Sequence, residues 1–236
     1  FTCSSPFIMI MSQIAENLAA VRARIASAAQ SSGRDAGSVR LLAVSKTFPA
    51  TAIAEAYAAG QRSFGENRIQ EIEAKAPALP SGIEWHLIGH LQANKVRSAV
   101  KWTTWIHSVD SLDLLNRIDR IAGEEGRRPN VLLEVNISGE KSKFGFSPKD
   151  AGDIAPLAAA MPNLRMAGLM TMAPMEASPE VLHQVFGGLR QLRDRIAGEY
   201  RIDLPVLSMG MSGDFEIAIA EGATIVRIGT AIFGHR

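Results

Sequence analysis

A lysine at the end of an apolar run is the residue of this sequence best suited to covalent chemistry. Lys46 follows the apolar residues 41–44 and Ser45, and Pro49 then opens a helical pattern. An apolar run followed by a turn and a helix is typical of a buried strand, and α/β folds place functional groups at the carboxyl ends of such strands. A lysine amine attacks an aldehyde only in its neutral form, so we expect the apolar flanks of Lys46 to favour that form.

Two turns rich in glycine and serine form a second set of candidate residues near the C-terminus. Residues 207–215 read LSMGMSGDF and residues 227–234 read RIGTAIFG, and each segment follows a predicted strand. Such turns expose backbone N–H groups at a helix start, here around Gly229, while Ser212 and Thr230 add hydroxyl groups. Barrels commonly bind phosphate after their seventh and eighth strands, so the two turns predict a phosphate site.

A phosphate site facing a strand-end lysine predicts a ligand that carries both an aldehyde and a phosphate. Pyridoxal 5′-phosphate (PLP) is the simplest cofactor of this kind. Arg227, beside the second turn, is placed to face the ring nitrogen of that cofactor. Because arginine stays protonated, it would leave the ring nitrogen unprotonated and weaken the cofactor as an electron sink.

The elements that must position these residues alternate along the chain. Apolar, β-rich segments predict eight strands, at residues 39–45, 62–65, 84–89, 104–109, 131–137, 164–170, 204–209 and 223–228. Helical patterns lie between them, at residues 50–59, 69–76, 91–100, 112–124, 148–159, 179–197 and 215–221, and one more begins at Ser12. This order predicts an α/β fold, a single-domain (β/α)8 TIM-type barrel with an extra N-terminal helix. An open doubly wound sheet is the alternative, because the second and fourth strands are short.

The composition of the chain limits its binding partners and its cellular compartment. The chain has 236 residues, 47% of them hydrophobic, and a formal net charge of +1, which makes no general case for nucleic-acid binding. No apolar stretch approaches the roughly 20 residues of a membrane span, and the single Cys3 favours the reducing cytoplasm. We expect a cytoplasmic monomer with neither nucleic-acid nor membrane partners. Residues 1–11 are predicted to be a flexible N-terminal extension, and residues 12–236 to be the PLP-binding barrel.

Further polar clusters follow strands two, three and five. Asn67 follows strand two and His90 follows strand three, where helix caps would explain similar residues. The loop after strand five carries Lys141 and Lys143, which are either solvated or able to reach an anion. The histidines do not have the spacing of metal ligands, so no metal site is expected.

Five motifs together resemble a known family. They are AVSK at residues 43–46, FGEN at 64–67, HLIGHLQ at 86–92, LSMGMS at 207–212 and VRIGTAIFG at 226–234. In this order the chain resembles the YggS/PROSC family of pyridoxal phosphate homeostasis proteins. The resemblance implies a barrel similar to the N-terminal domain of alanine racemase, with PLP held as a Schiff base on Lys46. It also implies cofactor contacts from Asn67, Ser208, Ser212, Arg227, Gly229 and Thr230, of which Ser212, Gly229 and Thr230 would take the phosphate.

Three functions remain open at this point. The resemblance implies intracellular PLP homeostasis without efficient catalysis, with apo PLP-dependent enzymes as possible recipients of the cofactor. A PLP-dependent amino-acid racemase is the alternative, but it needs a second base, and the two tyrosines, Tyr57 and Tyr200, fall in helical segments. A Schiff-base aldolase or lyase needs an acid–base carboxylate, yet Glu134 is expected inside strand five, and Glu66 and Asp214 are equally well explained as helix caps. We therefore expect a binding protein that is not an enzyme.

Overall fold

Eight parallel strands close into a barrel in sequence order. The structure is a computed structural model that describes residues 12–140 and 144–234. The strands are β1 Arg40–Val44, β2 Ser63–Glu66, β3 Glu84–Leu87, β4 Trp105–Val109, β5 Asn130–Glu134, β6 Arg165–Met170, β7 Val206–Ser208 and β8 Ile225–Ile228. Strand β8 pairs in parallel with β1, which closes the barrel and excludes the open doubly wound sheet. The predicted barrel is confirmed, whereas residues 1–11, Lys141 and Lys143 lie outside the described residues.

Helices surround the barrel, and one of them precedes the first strand. They are α1 Gln13–Ser31, α2 Ala50–Ala58, α3 Ile69–Lys75, α4 Val96–Trp102, α5 Leu112–Glu124, α6 Pro148–Ala159, α7 Pro179–Tyr200, α8 Phe215–Ala220 and α9 Thr230–Phe233. Short 3-10 helices span Ala36–Ser38, Ala76–Ala78 and Ala93–Lys95. In the described part of the chain, no helix is long and apolar enough to cross a membrane.

Local sequence explains where these elements begin. Helix α5 starts where predicted because the Ser111 hydroxyl accepts a hydrogen bond from the Leu114 N–H, and its apolar residues face the barrel. Strand β7 is shorter than predicted, since Pro205 has no N–H with which to join the sheet. Strand β2 runs one residue further than predicted, so that Glu66 belongs to the strand and not to the following loop.

The extra N-terminal helix packs against the short helices that follow β7 and β8. Helix α1 packs on α8 and α9 through an apolar face that includes Leu18 and Val21. The Asn17 side chain also donates a hydrogen bond of 2.9 Å to the Ile232 carbonyl of α9. The helix α1 therefore fixes the short helix that follows β8.

Candidate functional site

A cavity of about 660 Å³ opens at the carboxyl end of the barrel. Its lining includes six of the seven residues predicted to contact a cofactor, namely Lys46, Asn67, Ser212, Arg227, Gly229 and Thr230. The seventh, Ser208, is fully buried and lies behind Arg227, which donates a hydrogen bond of 2.9 Å to its hydroxyl. Residues that are far apart in sequence therefore meet at one site because the strands that carry them end at the same rim.

Lys46 lies in the turn directly after β1 and lines the cavity. Its side chain is exposed, and its Nζ makes no hydrogen bond or ion pair with any residue in the described ranges. The flanking residues Val44 and Phe48 border only part of the open mouth and do not enclose the amine. The amine is free to react with a ligand that enters the cavity.

A network of charged residues holds the backbone on both sides of Lys46. Thr47 adopts a left-handed conformation with φ of 66°, which is unusual for a β-branched residue. Its N–H donates to the Glu71 carboxylate at 2.7 Å, and Lys75 Nζ donates to the Ser45 carbonyl at 3.2 Å. Because the turn is hydrogen-bonded on both sides, its strained conformation is maintained. The backbone of Lys46 is therefore held in place at the rim.

The centre of this network is Glu66, the last residue of β2. Its buried Oε1 accepts hydrogen bonds from the Ser45 hydroxyl at 2.7 Å and from Lys75 Nζ at 2.9 Å. Among the described residues Glu66 Oε2 has no hydrogen-bond partner. Burial raises the pKa of Glu66 to about 7, although Lys75 and Ser45 oppose the shift. Of the two interpretations left open by the sequence, the helix cap is excluded for Glu66, because the strand carries this side chain into the wall of the barrel.

The two predicted phosphate turns lie next to each other. The Asp214 carboxylate accepts a hydrogen bond from the Met211 N–H, which closes the first turn, and it makes no capping bond to α8. The Ser212 hydroxyl then lies 3.5 Å from the N–H of Ala231 in the first turn of α9. At Gly229 an added Cβ would lie 3.1 Å from the Val44 carbonyl, so glycine allows this turn to approach the end of β1. Hydroxyl and backbone donors thus face the cavity that Lys46 lines.

Arg227 provides the buried positive charge of the site. Its guanidinium is 5% exposed and donates to the Ser208 hydroxyl at 2.9 Å and to the Thr171 carbonyl at 3.0 Å. Burial lowers the pKa of Arg227 to about 10, while Glu134 and Asp214 act in the opposite direction. At neutral pH the group therefore stays charged and can only donate hydrogen bonds.

Comparison with known proteins identifies the family. Residues 16–236 match the family model described as alanine racemase, N-terminal domain. A pyridoxal phosphate homeostasis protein of Pseudomonas aeruginosa is 48% identical, over 96% of this chain and 97% of its own. The chain belongs to the pyridoxal phosphate homeostasis protein family. The family protein of Escherichia coli K12 is 45% identical, over 96% of this chain and 98% of its own. The resemblance predicted from five motifs is thereby confirmed.

Solved structures agree with this family and with its fold. PipY of Synechococcus elongatus with PLP bound is 43% identical, over 94% of this chain and all 100% of PipY, with a TM-score of 0.84. PipY without PLP gives a TM-score of 0.86. An alanine racemase of Clostridium difficile is 16% identical, with a TM-score of 0.73 over 95% of this chain and 57% of its own, which is a likeness of fold alone.

One acidic residue that lines the cavity, Glu134, is not among the site residues predicted from the sequence. Glu134 is the last residue of β5, is 5% exposed and lines the cavity together with Arg227. Burial, and next the charge of Asp110, raise the pKa of Glu134 to about 7. Glu134 belongs to strand five, as expected from the sequence, but it is the last residue of β5 and therefore reaches the mouth of the barrel. The predicted strand continues to residue 137, three residues past Glu134, so the sequence does not place Glu134 at the mouth.

Two further features shape the rim. Gly89 lacks a side chain where an added Cβ would lie 2.4 Å from the Asn67 carbonyl, so the loops after β2 and β3 pack closely and fix Asn67. The ring of His90 stacks on Phe144 with centroids 4.5 Å apart and bonds to Asp110 at 3.0 Å. Within residues 12–140 and 144–234, no group of three metal-ligand side chains converges.

Glu134 gives a prediction about stability and pH. Because its folded pKa of about 7 exceeds the ordinary value of 4.5, the folded state binds the proton more tightly. The resulting stabilisation is fully present below pH 4.5 and is lost as pH rises through 7. In the wild type, Glu134 should lower the free energy of unfolding by about 2 kcal/mol between pH 5 and pH 8. Glu134→Gln removes this contribution, so the free energy of unfolding of the variant should fall by about 2 kcal/mol less over the same range.

The measurement is urea unfolding of the wild type and variant at both pH values. Glu55→Gln, at an exposed position of α2, is the matched control and should change neither value by more than about 0.5 kcal/mol. An equal effect of Glu134→Gln at pH 5 and pH 8 would show that Glu134 is already ionised across this range.

Proposed function

We propose that this protein binds PLP in the cavity at the barrel mouth and acts in PLP homeostasis. Lys46 forms the covalent bond to the cofactor aldehyde, and Arg227 donates a hydrogen bond to the ring nitrogen. Ser212, Thr230 and the backbone at Gly229 hold the phosphate, while Asn67 contacts the cofactor from the side of β2. Ser208 acts one step away, through Arg227.

The observation that carries this proposal is the convergence of separate segments on one cavity. Lys46 comes from the end of β1, Ser212 from the turn after β7, and Thr230 from the start of α9, yet all three line the same space. PipY, a relative with PLP bound, supports the identity of the ligand. The names of the relatives in Pseudomonas aeruginosa and Escherichia coli support a role in homeostasis.

The residues present fit the two ends of this cofactor. When bound, PLP supplies an aldehyde that condenses with a primary amine and a phosphate that needs several hydrogen-bond donors. The exposed amine of Lys46 meets the first need, and the paired turns around Ser212 and Gly229 meet the second. Arg227 is fully charged at neutral pH, so it donates to the ring nitrogen and prevents its protonation.

The expected biological role is to hold PLP and release it to apo enzymes without turning over a substrate. The charged Arg227 opposes protonation of the ring nitrogen, which efficient carbanion chemistry requires. Tyr57 and Tyr200 do not line the cavity, so neither supplies a second base there. We further propose that the protein is a monomer and works in the cytoplasm, and the single cysteine of the sequence supports the cytoplasm.

Glu134 keeps a racemase-like enzyme as the second candidate. Its pKa of about 7 would let it accept and return a proton at neutral pH, and it lines the cavity. A positioned acid–base group is one of the two requirements for moving an α-proton. The other, a protonated ring nitrogen, is opposed by Arg227.

The proposal is tested through its phosphate site. Ser212→Ala and Thr230→Val should each weaken PLP binding about tenfold, because one hydrogen bond to a charged group contributes roughly 1.5–3 kcal/mol. Both variants should change the affinity for pyridoxal, which lacks the phosphate, by less than about twofold. Absorbance titration with the two ligands measures both values. Equal losses for PLP and pyridoxal would place the phosphate elsewhere.

A further inference from the structure

A row of polar side chains crosses the apolar interior of the barrel. His86 on β3, His107 on β4 and Ser208 on β7 are each fully buried, and Arg227 on β8 is 5% exposed. Trp105 stacks on His86 and belongs to a small buried apolar cluster with Leu132, Ala167 and Met170. The row begins at Glu84, which is partly exposed at the amino end of β3, and it ends at the cavity. A buried row of this kind is costly unless every member is bonded.

Each neighbouring pair in this row lies at hydrogen-bond distance. Glu84 Oε1 is 2.7 Å from His86 Nε2, and His86 Nδ1 is 2.9 Å from His107 Nε2. His107 Nδ1 is 3.0 Å from the Ser208 hydroxyl oxygen, which accepts from Arg227 Nη1 at 2.9 Å. The four contacts therefore join the base of the barrel to the guanidinium at its mouth. We call these five residues the axial chain.

The charges at the two ends of the axial chain determine the direction of every hydrogen bond in it. The hydrogen bond from His86 lowers the pKa of Glu84 to about 2, so Glu84 is a carboxylate and can only accept. Burial lowers the pKa of both His86 and His107, so each ring carries a single proton at neutral pH.

His86 must then donate from Nε2 to Glu84, which leaves its Nδ1 as an acceptor. His107 therefore donates from Nε2 to His86 and accepts at Nδ1 from the Ser208 hydroxyl. The Ser208 oxygen, whose own proton is used in the bond to His107, accepts a hydrogen bond from Arg227, which can only donate. One arrangement of protons thus satisfies all four contacts.

We propose that Glu84, His86 and His107 are positioning residues that hold Ser208 as an acceptor and thereby fix Arg227 toward the cofactor ring. This inference rests on the proposed function for the role of Arg227. If His107 instead donated to Ser208, the serine proton would compete for the space that the Arg227 proton occupies. The guanidinium would then keep only its bond to the Thr171 carbonyl and lose its single defined orientation.

The first test reads the direction of the axial chain and does not depend on PLP. Nitrogen NMR of the protein labelled with 15N-histidine distinguishes the two neutral tautomers and the charged ring. The sequence has five histidines, so His86→Gln and His107→Gln assign their signals. We expect both rings to be neutral and protonated at Nε2 at neutral pH. A proton on Nδ1 of either ring, or a charged ring, would overturn the proposal.

The second test asks whether the axial chain acts through Arg227. His86→Phe breaks the chain but keeps an aromatic ring stacked on Trp105, because the His86 and Trp105 rings are nearly parallel with centroids 5.5 Å apart. We expect PLP affinity to fall about fivefold and the absorbance maximum of the bound cofactor to shift. Trp105→Phe changes the same packing without breaking the chain, so it should alter the affinity by less than about twofold.

A double-mutant cycle separates positioning from packing. In an Arg227→Gln background, His86→Phe should change PLP affinity by less than about twofold, because the group that His86 positions is gone. An undiminished fivefold loss in that background would mean that His86 has only a structural role.

If His86→Phe does not fold, Glu84→Gln at the partly exposed end of the axial chain replaces it. Glu84→Gln should yield a mixture of His86 tautomers, and a single unchanged tautomer in this variant would overturn the proposal. A wild type that binds no PLP contradicts only the proposed function.

Discussion

Replacement of Lys46 by alanine is expected to abolish covalent binding of PLP altogether. Lys46 is an exposed amine at the cavity, and its backbone is held by the bonds of Ser45 and Thr47 to Lys75 and Glu71. No other lysine in the described ranges lines this cavity. The wild type incubated with PLP should show the absorbance of a covalent complex, and Lys46→Ala should show only the absorbance of free PLP.

Lys95→Ala is the matched control for this result. Lys95 lies in the 3-10 helix Ala93–Lys95 after β3 and lines the neighbouring pocket, not the cavity. This variant should retain the wild-type absorbance. Reduction of the wild type with borohydride, followed by peptide mapping, should place the main adduct on Lys46. A main adduct on any other lysine would contradict the proposed site.

The barrel and most of its elements could be predicted because they depend on local patterns. Helices α5 and α6 have the predicted bounds, since a serine cap starts each and a continuous apolar face defines its length. The structure departs from the prediction where one residue breaks the pattern. Helix α4 begins at Val96 and not at Leu91, because the preceding residues form an extended segment and then a 3-10 helix.

The site could be predicted only in part, for a related reason. Lys46 and the turns around Ser212 and Gly229 could be predicted because a short local motif, only a few residues long, indicates the function of each. The hydrogen bond between Ser208 and His107 joins residues 101 positions apart, and the one between Ser45 and Glu66 joins residues 21 positions apart. No local pattern specifies which of many buried polar groups will meet across a closed barrel. Such pairings depend on which strands become neighbours and on which side chains face inward.

The last expected result is that turnover of amino acids stays orders of magnitude below the 1–1000 per second that is typical of enzymes. Loss of an α-proton leaves a negative charge that a protonated ring nitrogen would stabilise. Arg227 is buried, charged at neutral pH and anchored to Ser208 and Thr171, so it can only donate to that nitrogen. A panel of amino acids assayed for racemisation, decarboxylation and transamination measures the effect, with cofactor transfer to an apo enzyme measured in parallel.

Glu134→Gln makes this experiment decisive between the two candidate functions. Lys46, once released from the cofactor, can still act as a base on one side, so slow exchange of the α-proton is expected in the wild type. If that exchange comes from Lys46 alone, Glu134→Gln should change its rate by less than about twofold. Turnover in the enzymatic range that Glu134→Gln abolishes would establish the racemase-like alternative, with the carboxylate of pKa about 7 as its acid–base group. Slow exchange combined with PLP transfer faster than free dissociation would instead establish delivery of the cofactor.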